Sequence, residues 1–425
     1  MARARRIRRV APARVAELVI DHLGARGDGV ATVEGRGVFV PYTLPGERVR
    51  ARIAGERGAL EEILTPSPHR FAAPCRHFGG CGGCALQHAA RGFYLDWKRR
   101  RIIEALARAG LKDAPAGEAV AIPARTRRRA VFAVRRRGGK VLLGFNARAS
   151  DRIVGIETCE VLHPALFAAL PGLKRLCASL PGEWRAFDLA VTLMENGLDT
   201  DLRPARGASE PEGIGLLALR EAMEAAGVVR IAMNGEALLT RAPPLVRFAG
   251  VPVSPPPGGF LQASAEGEAA LVRLVLAGAT GARRALDLFC GVGAFAFPLS
   301  QIATVHAVDA DRAAVAALKA AAAHAPCRPV TSEARDLFER PLMGEELEGY
   351  DLAVFDPPRA GAKAQAEALA AARVPRVIAV SCNPSTFARD AAILVAGGYR
   401  LKAVTPVDQF VYAAHVELVG VFERV

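Results

Sequence analysis

The chain reads as an α/β protein. A doubly wound, mostly parallel sheet is expected in its C-terminal part, a small β-barrel at its front, and an α+β region holding a metal centre between them. Three observations lead there. From Arg284 onward, short apolar runs alternate with helical segments, the pattern of strands joined by crossover helices. Between Val15 and Leu64, short β-like runs alternate with glycine turns. Between these regions Cys75, Cys81 and Cys84 stand close together among glycines.

The 425 residues are 51% hydrophobic and 23% charged, a globular composition with length for several domains. Breaks at Thr65-Pro66-Ser67-Pro68 and at Pro252–Gly259 divide the chain into residues 1–68, 69–255 and 256–425. The net charge of +13 is uneven: residues 1–150 carry 30 Lys and Arg against 12 Asp and Glu, the rest 26 against 31. A basic front half facing an acidic back half points to a polyanion, with nucleic acid first. No signal-like apolar segment and no run of about 18 apolar residues occurs, so a cytoplasmic protein without membrane attachment is expected, acting as a monomer.

In the front region, strands are predicted at Val15–Ile20, Gly29–Val33, Gly37–Pro41, Arg48–Ile53 and Ala59–Ile63. Residues 27–49, with their glycines, Phe39-Val40 and Pro45-Gly46-Glu47, resemble a TRAM domain, an OB-like RNA-binding module. Residues 1–12 form a basic tail able to touch phosphates or simply to be solvated.

The cysteine spacing is C-x5-C-x2-C, and the glycines let backbone wrap closely around a bulky inorganic centre. Three thiolates need a fourth ligand for zinc or for an iron–sulfur cube, and Cys159 is the choice here. Spacing does not decide between the two metals. His77 and His88 are read as neighbours rather than ligands. A helix is predicted over 91–110, and a strand flanked by arginines over Arg125–Arg137, suited to phosphate contacts. Residues 165–250 carry no chemistry that can be named, and Cys177 is read as core.

In the last region, strands at Ala285–Leu288, Thr304–Val308, Tyr350–Phe355 and Arg376–Val380 end respectively at Cys290–Gly293, Asp309, Asp356-Pro357-Pro358 and Cys382. The turn Gly291-Val292-Gly293-Ala294-Phe295-Ala296 matches G-x-G-x-x-A, so a nicotinamide cofactor has to be weighed, and Asp309 would hold ribose hydroxyls for either cofactor. Asp287 ahead of the turn, and the rigid Asp356-Pro357-Pro358, favour S-adenosylmethionine. Asp336 is placed to reach the adenine amine, with a plain surface acid as the alternative; Cys290 is read as packing. Asn383 should cap a helix with Pro384 at its first position, leaving Cys382 between a strand end and a helix N-terminus. The helix dipole there favours a thiolate nucleophile over an inert buried thiol.

The glycine-rich cysteine cluster, Asp287–Gly293, Phe355–Gly361, Val380–Asp390 and Pro406–Val419 together resemble the RNA uracil-5-methyltransferase family that makes 5-methyluridine, of the 23S rRNA type. The resemblance covers most of the chain and implies a class I methyltransferase domain behind a TRAM barrel. It implies a four-iron four-sulfur cluster on Cys75, Cys81, Cys84 and Cys159. It implies S-adenosylmethionine contacts at Gln262, Asp287, Phe289, Gly291, Gly293, Asp309 and Asp356, beside the Asp336 read above. It makes Cys382 the nucleophile and Glu417 the base, with Asp356 assisting. The RNA partner is expected to be ribosomal, with transfer RNA as the alternative. Two departures stand out: the family commonly has Gln-x-Asn where this chain has Gln262-Ala263-Ser264, and Phe-Pro-His-Thr where it has Phe410-Val411-Tyr412-Ala413.

The chemistry calls for these groups. Uracil C5 is too weak a nucleophile for a sulfonium methyl until a thiolate adds at C6. The C5 proton must then leave, which needs a base. A uridine in a stack must be flipped out to react. Two competing readings are an amino-group methyltransferase using Asp356-Pro357-Pro358, which leaves Cys382 idle and has Arg359 where a stacking aromatic is expected, and an RNA-binding module whose cluster is a sensor or strut.

Overall fold

The computed structural model describes residues 13–205, 207 and 213–425, so the basic tail of residues 1–12 lies outside the described residues. The backbone groups into two units. One runs to Trp97 and takes in Tyr412–Ala414; the other comprises Lys98–Val411 and His415–Val425.

In the first unit a six-stranded sheet has the spatial order Arg14–Val19, Arg48–Ala54, Arg57–Thr65, Arg36–Val40, Gly29–Val33 and His22–Leu23. Alternating residues such as Leu18, Val38, Val40, Val49 and Ala51 fill its inner face. Asp21 N–H donates to the Val30 carbonyl at 2.8 Å, drawing the edges together into the expected small barrel. The two-residue strand His22–Leu23 is too short to show a pattern in sequence. Gly29 is required, because a Cβ there would stand 2.0 Å from Thr43 Oγ1. Pro45-Gly46-Glu47 is a turn pinned by its own acid: buried Glu47 accepts the Leu44 N–H at 2.9 Å and pairs with Arg70.

Among the described residues the second unit holds two large sheets and the two-stranded pair Val246–Phe248 and Val251–Val253. The first large sheet has seven strands in the order Ile153–Gly155, Lys140–Asn146, Arg129–Arg137, Ala186–Met194, Gly197–Pro204, Val228–Met233 and Glu236–Thr240. Phe132, Leu173, Leu176, Leu189, Leu202 and Ile231 form its core, and Cys177 lies among them with its thiol pushed up to about 12 by burial.

The other sheet is built from β1 (Arg284–Leu288), β2 (Thr304–Asp309), β3 (Val330–Ala334), β4 (Leu352–Phe355), β5 (Arg376–Ser381), β6 (Tyr399–Asp408) and β7 (Glu417–Arg424). Its order is β3-β2-β1-β4-β5-β7-β6, and Val120–Ala121 adds an eighth strand beside β6. β1 to β5 are parallel; β7 runs antiparallel to both β5 and β6. The strand order reverses between β1 and β4, where an open α/β sheet leaves a crevice for ligands at its carboxyl edge. This is a class I methyltransferase architecture.

The boundary between the two units falls between Trp97 and Lys98, inside the helix Arg91–Arg108. In the helix Arg91–Arg108, Ile102, Ala105 and Leu106 pack into the core under β1, β4 and β5. An apolar helix face goes to whichever apolar surface it can cover, without regard to order along the chain. Lys98 and Asp408, both fully buried, pair at the end of β6, and Lys98 Nζ also donates to the Phe410 carbonyl at 3.1 Å. Removing one partner of a buried pair strands the other charge, so Asp408→Ala should lower unfolding free energy by about 3–5 kcal/mol in urea titration. A change below about 1 kcal/mol would show that the pair is not a determinant of stability.

Candidate active site

Five predicted residues or turns lie on one edge because five strands run the same way. The turn Cys290–Gly293 follows β1, Asp309 ends β2, Asp336 follows β3, Asp356 follows β4 and Cys382 follows β5. Glu417 arrives from the opposite direction. Ser381 of β5 pairs with Leu418 of β7, so Glu417, one residue earlier on the antiparallel strand, lies alongside Cys382.

Asn383 caps the helix Pro384–Ala396 as expected, accepting the Ser385 N–H at 3.1 Å with Pro384 in the first turn. Asn383 Nδ2 also donates to the Arg359 carbonyl at 3.0 Å, tying the Cys382 loop to the loop after β4. The protonation of Cys382 departs from the sequence expectation. Its half-buried thiol is pushed up to about 11, by burial first and then by the charges of Glu417 and Asp356, with Arg359 pulling the other way. Desolvation and two acids outweigh the helix end, so the resting group is a thiol.

Glu417 is buried and raised to about 8, chiefly by burial and then by Asp356. Asp356 is raised to about 7 by burial, against a hydrogen bond from Gln262. Gln262 Nε2 donates to Asp356 Oδ2 at 3.0 Å, and Gln409 Nε2 donates to Gln262 Oε1 at 2.8 Å. Gln409 also hydrogen-bonds Glu417. The two acids are thus joined through two amides. The sequence reading missed Gln409, although its place one residue past β6 and eight before Glu417 was available.

Gln262 is itself held from behind. Buried Arg128 donates to the Gln262 carbonyl at 3.1 Å and pairs with Glu268 at 2.6 Å. Arg129 donates to the Leu261 carbonyl, and its guanidinium lies 4.9 Å from the Phe260 ring centroid. Arg125 pairs with Glu160. The sequence offers these arginines for phosphate contacts; Arg128 and Arg129 instead hold the loop that carries Gln262, because a guanidinium presents several donors at once. Ser264, one of the two departures, caps the helix Ala265–Gly278 by accepting the Gly267 N–H at 3.0 Å. Asn and Ser serve equally as caps, which accounts for the exchange. Tyr412, in the other departure, sits at φ 61° and packs with Leu23, Leu44, Leu86 and Tyr94 in the first unit.

The turn after β1 suits a nucleoside cofactor. Phe289, Gly291 and Gly293 have φ of 62°, 52° and 98°. A Cβ on Gly291 would face open space, whereas one on Gly293 would lie 2.7 Å from Phe297. Backbone can therefore be approached at Gly291, and only glycine fits at Gly293. Asp309 Oδ2 accepts the Gly291 N–H at 2.8 Å and Oδ1 the Asp311 N–H at 2.8 Å, which fixes the acid at the mouth. Asp336 is half-buried and accepts the Phe338 N–H at 2.8 Å, and Phe338 tilts against Phe289 with ring centroids 5.4 Å apart. Asp287 is fully buried and is raised well above the carboxylate range by burial, then by Asp356 and Asp309, against the backbone N–H of Ala296. An acid cluster of this kind, short of positive charge, fits a cationic sulfonium. Cys290 is buried packing.

Arg359 Nη2 lies 2.7 Å from Nδ1 of His415, whose pKa is lowered to about 4 by burial and then by Arg359. Neutral His415 also packs edge-on against Phe410, with centroids 5.8 Å apart.

The metal expectation fares differently. Cys75, Cys81 and Cys84 belong to the first unit and Cys159 to the second. Among the described residues, no three His, Cys, Asp or Glu side chains converge as a metal-ion cage. Thiolates repel one another until a metal core binds, so such sites form together with their metal. Gly83 N–H donates to Cys81 Sγ and Leu162 N–H to Cys159 Sγ, each at 3.4 Å. His88 is buried against Phe78, and its pKa falls to about 4 through burial and Arg70.

A reversed-order sheet with a glycine turn after β1, an acid ending β2 and a polar loop after β4 defines a cofactor-binding methyltransferase domain. Comparison with known proteins narrows this. Residues 257–424 match the family model tRNA (Uracil-5-)-methyltransferase. An RNA methyltransferase of Caulobacter vibrioides is 47% identical, covering 96% of this chain and 100% of the relative. The 23S rRNA (uracil(1939)-C(5))-methyltransferase RlmD of Halomonas elongata is 36% identical over 96% of this chain and 89% of its own. The crystal structure of the Pyrococcus abyssi tRNA (uracil-54, C5)-methyltransferase with S-adenosyl-L-homocysteine shares the fold, with a TM-score of 0.74 at 22% identity over 96% of this chain and 99% of that one. The chain belongs to the RNA (uracil-5-)-methyltransferase family, enzymes that use S-adenosylmethionine. Among the described residues no helix is long and apolar enough to cross a membrane.

Proposed function

We propose that this enzyme methylates C5 of a specific uridine in 23S rRNA, through a covalent bond between Cys382 and C6 of the base. The observation that carries the reading is the strand register that sets Glu417 beside Cys382, on the edge where Gln262 and Asp356 meet. Cys382 gives its proton to solvent and adds as the thiolate to C6, and the electron pair of the C5–C6 double bond moves to C5 and the O4 enolate. Bound S-adenosylmethionine supplies the methyl group and a positive charge. Glu417 then takes the C5 proton, the double bond re-forms and the thiolate leaves. Gln262, Asp309 and Asp336 hold the cofactor side. Arg359 stabilises negative charge near Cys382 and Glu417, both of whose pKa values it lowers. The ribosomal substrate is supported by the Halomonas relative. The cytoplasm, where ribosomal RNA is found, is the expected location.

The pH dependence follows from the acid pair. Glu417 and Asp356 are raised to about 8 and about 7, and interacting acids titrate together. A base acts only when deprotonated, so kcat/KM should rise with pH through that range. Stability should run the other way. A raised folded pKa gives a contribution complete below the unfolded carboxylate value of ~4 and lost as pH rises through about 7 to 8. Ligand-free Tm should therefore fall across that window; flat profiles of both rate and Tm would remove the acid pair from the account.

The four-iron four-sulfur cluster on Cys75, Cys81, Cys84 and Cys159 is part of the same reading. The C-x5-C-x2-C spacing supports a metal centre, the family resemblance supports iron–sulfur as its kind, and the cluster has no step in methyl transfer. Anaerobically purified enzyme should carry iron and acid-labile sulfide in equal amounts, and Cys81→Ser should lose both. Enzyme with neither would refute the cluster.

The direct test supplies methyl-labelled S-adenosylmethionine with unmodified 23S and transfer RNA transcripts. Label in 5-methyluridine from 23S RNA is expected. Label from transfer RNA alone would move the substrate, and label in any other nucleoside would overturn the reading.

A further inference from the structure

The strand Arg129–Arg137 carries arginines at both ends, and the two ends do different work. At its start Arg129 is committed to the Leu261 carbonyl. At its far end the chain turns through Gly138 and Gly139, with φ of 56° and 76°, into Lys140–Asn146. A two-residue turn with both φ positive matches strand twist and needs glycine-like residues. Arg137 and Lys140 thereby face each other across the hairpin.

Beside this hairpin is a cavity of about 930 Å³. Arg135, Arg136, Arg137, Lys140 and Arg185 line it, and none of its described lining residues is acidic. Arg136 is half-buried and donates to the Pro181 and Ala178 carbonyls at 2.6 and 3.0 Å, which braces the wall. Arg135 reaches the Asp151 carbonyl at 3.3 Å. Arg137, Lys140 and Arg185 are exposed.

We infer that this basic cleft binds the RNA phosphate backbone, at nucleotides remote from the uridine that reacts. The inference rests on the reading that the substrate is RNA. Five cations around one cleft repel each other unless an anion enters, and a chain of phosphodiesters supplies several anions in a row. A nine-residue strand separates Arg129 from Arg137, roughly 26 Å at about 3.3 Å per residue. Phosphates in the cleft are therefore several nucleotides away from any base near Gln262. Such contacts position the RNA without reading its sequence.

The test measures binding of a long folded 23S fragment and of a short single-stranded oligonucleotide containing the target uridine, at several salt concentrations. Wild type is compared with the triple variant Arg137→Gln/Lys140→Gln/Arg185→Gln. The triple variant should bind the long RNA at least about tenfold more weakly at 0.1 M salt. Its log–log salt slope should be shallower by about 2–3, at roughly 0.7–0.9 per lost contact. Affinity for the short RNA and for S-adenosylmethionine should be unchanged, and Arg137→Lys/Arg185→Lys should bind like wild type. Lys140→Gln alone, at the exposed end of the hairpin, should make the long-RNA slope shallower by about 0.7–0.9 and leave the short RNA unchanged, which serves if the triple variant is unstable. Equal long-RNA affinity and equal slope in wild type and variants would overturn the inference, as would equal losses on both RNAs. Methylation by wild type is scored separately: wild type that binds RNA through the cleft yet makes no 5-methyluridine would refute the functional reading and leave the cleft standing.

Discussion

Cys382→Ala should lose at least about 10⁴-fold in methyl transfer to RNA while binding S-adenosylmethionine as wild type does. The size follows from the mechanism: without a nucleophile at C6, C5 of uracil has no electron pair to offer. The substitution is also gentle on the fold. Cys382 is half-buried in a loop, its neighbour Asn383 keeps the cap on the following helix, and Ser381 keeps its place in β5. Thermal unfolding and cofactor titration in parallel with the assay separate loss of chemistry from loss of structure. Retention of even a tenth of wild-type rate would mean that the thiol is packing and that Asp356 serves some other transfer.

Glu417→Gln should fail at a different point. The amide keeps the size of the side chain and can still hydrogen-bond Gln409, but it cannot accept the C5 proton. Addition and methyl transfer then proceed while release does not. Turnover should fall about 10²–10⁴-fold, and enzyme linked to methylated RNA should accumulate on denaturing gels. A purely structural Glu417 would give slower turnover with no linked species. The amide also removes one of the carboxylates that hold the Cys382 thiol high, so addition itself should not slow.

How much of this was legible beforehand depended on the range of the interaction. Local signals read well. Val377–Val380 with its β-branched residues gave a strand, Asn383-Pro384 gave a cap and helix start, and Asp309 marked a strand end. Parallel strands then place their carboxyl-end residues on one edge, so the company of Asp309, Asp356 and Cys382 follows from pattern alone. Interactions between distant stretches did not read. Nothing in Thr126–Arg129 reveals that Arg128 will meet Glu268, which is 140 residues away, instead of a phosphate. Gln409 looked unremarkable until folding set it against Gln262, 147 residues earlier. The thiol of Cys382 was expected to be lowered by a helix end. Its pKa rises because burial and the charges of Glu417 and Asp356, brought in by β7 and β4, outweigh that end. In the middle region the arginine-flanked strand was legible, but the seven-stranded sheet around it and the cleft beside its hairpin were not.

The central claim is the covalent bond at Cys382. It is met most directly with 23S RNA transcribed with 5-fluorouridine, in the presence of S-adenosylmethionine. Fluorine at C5 cannot be removed by a base, so the chemistry halts after methyl transfer with enzyme and RNA joined. Wild-type enzyme should form a complex stable to denaturation, and peptide mapping should place the nucleotide on Cys382, with none formed by Cys382→Ala. A linkage to another residue, or no linkage from enzyme that methylates ordinary RNA, would contradict the mechanism.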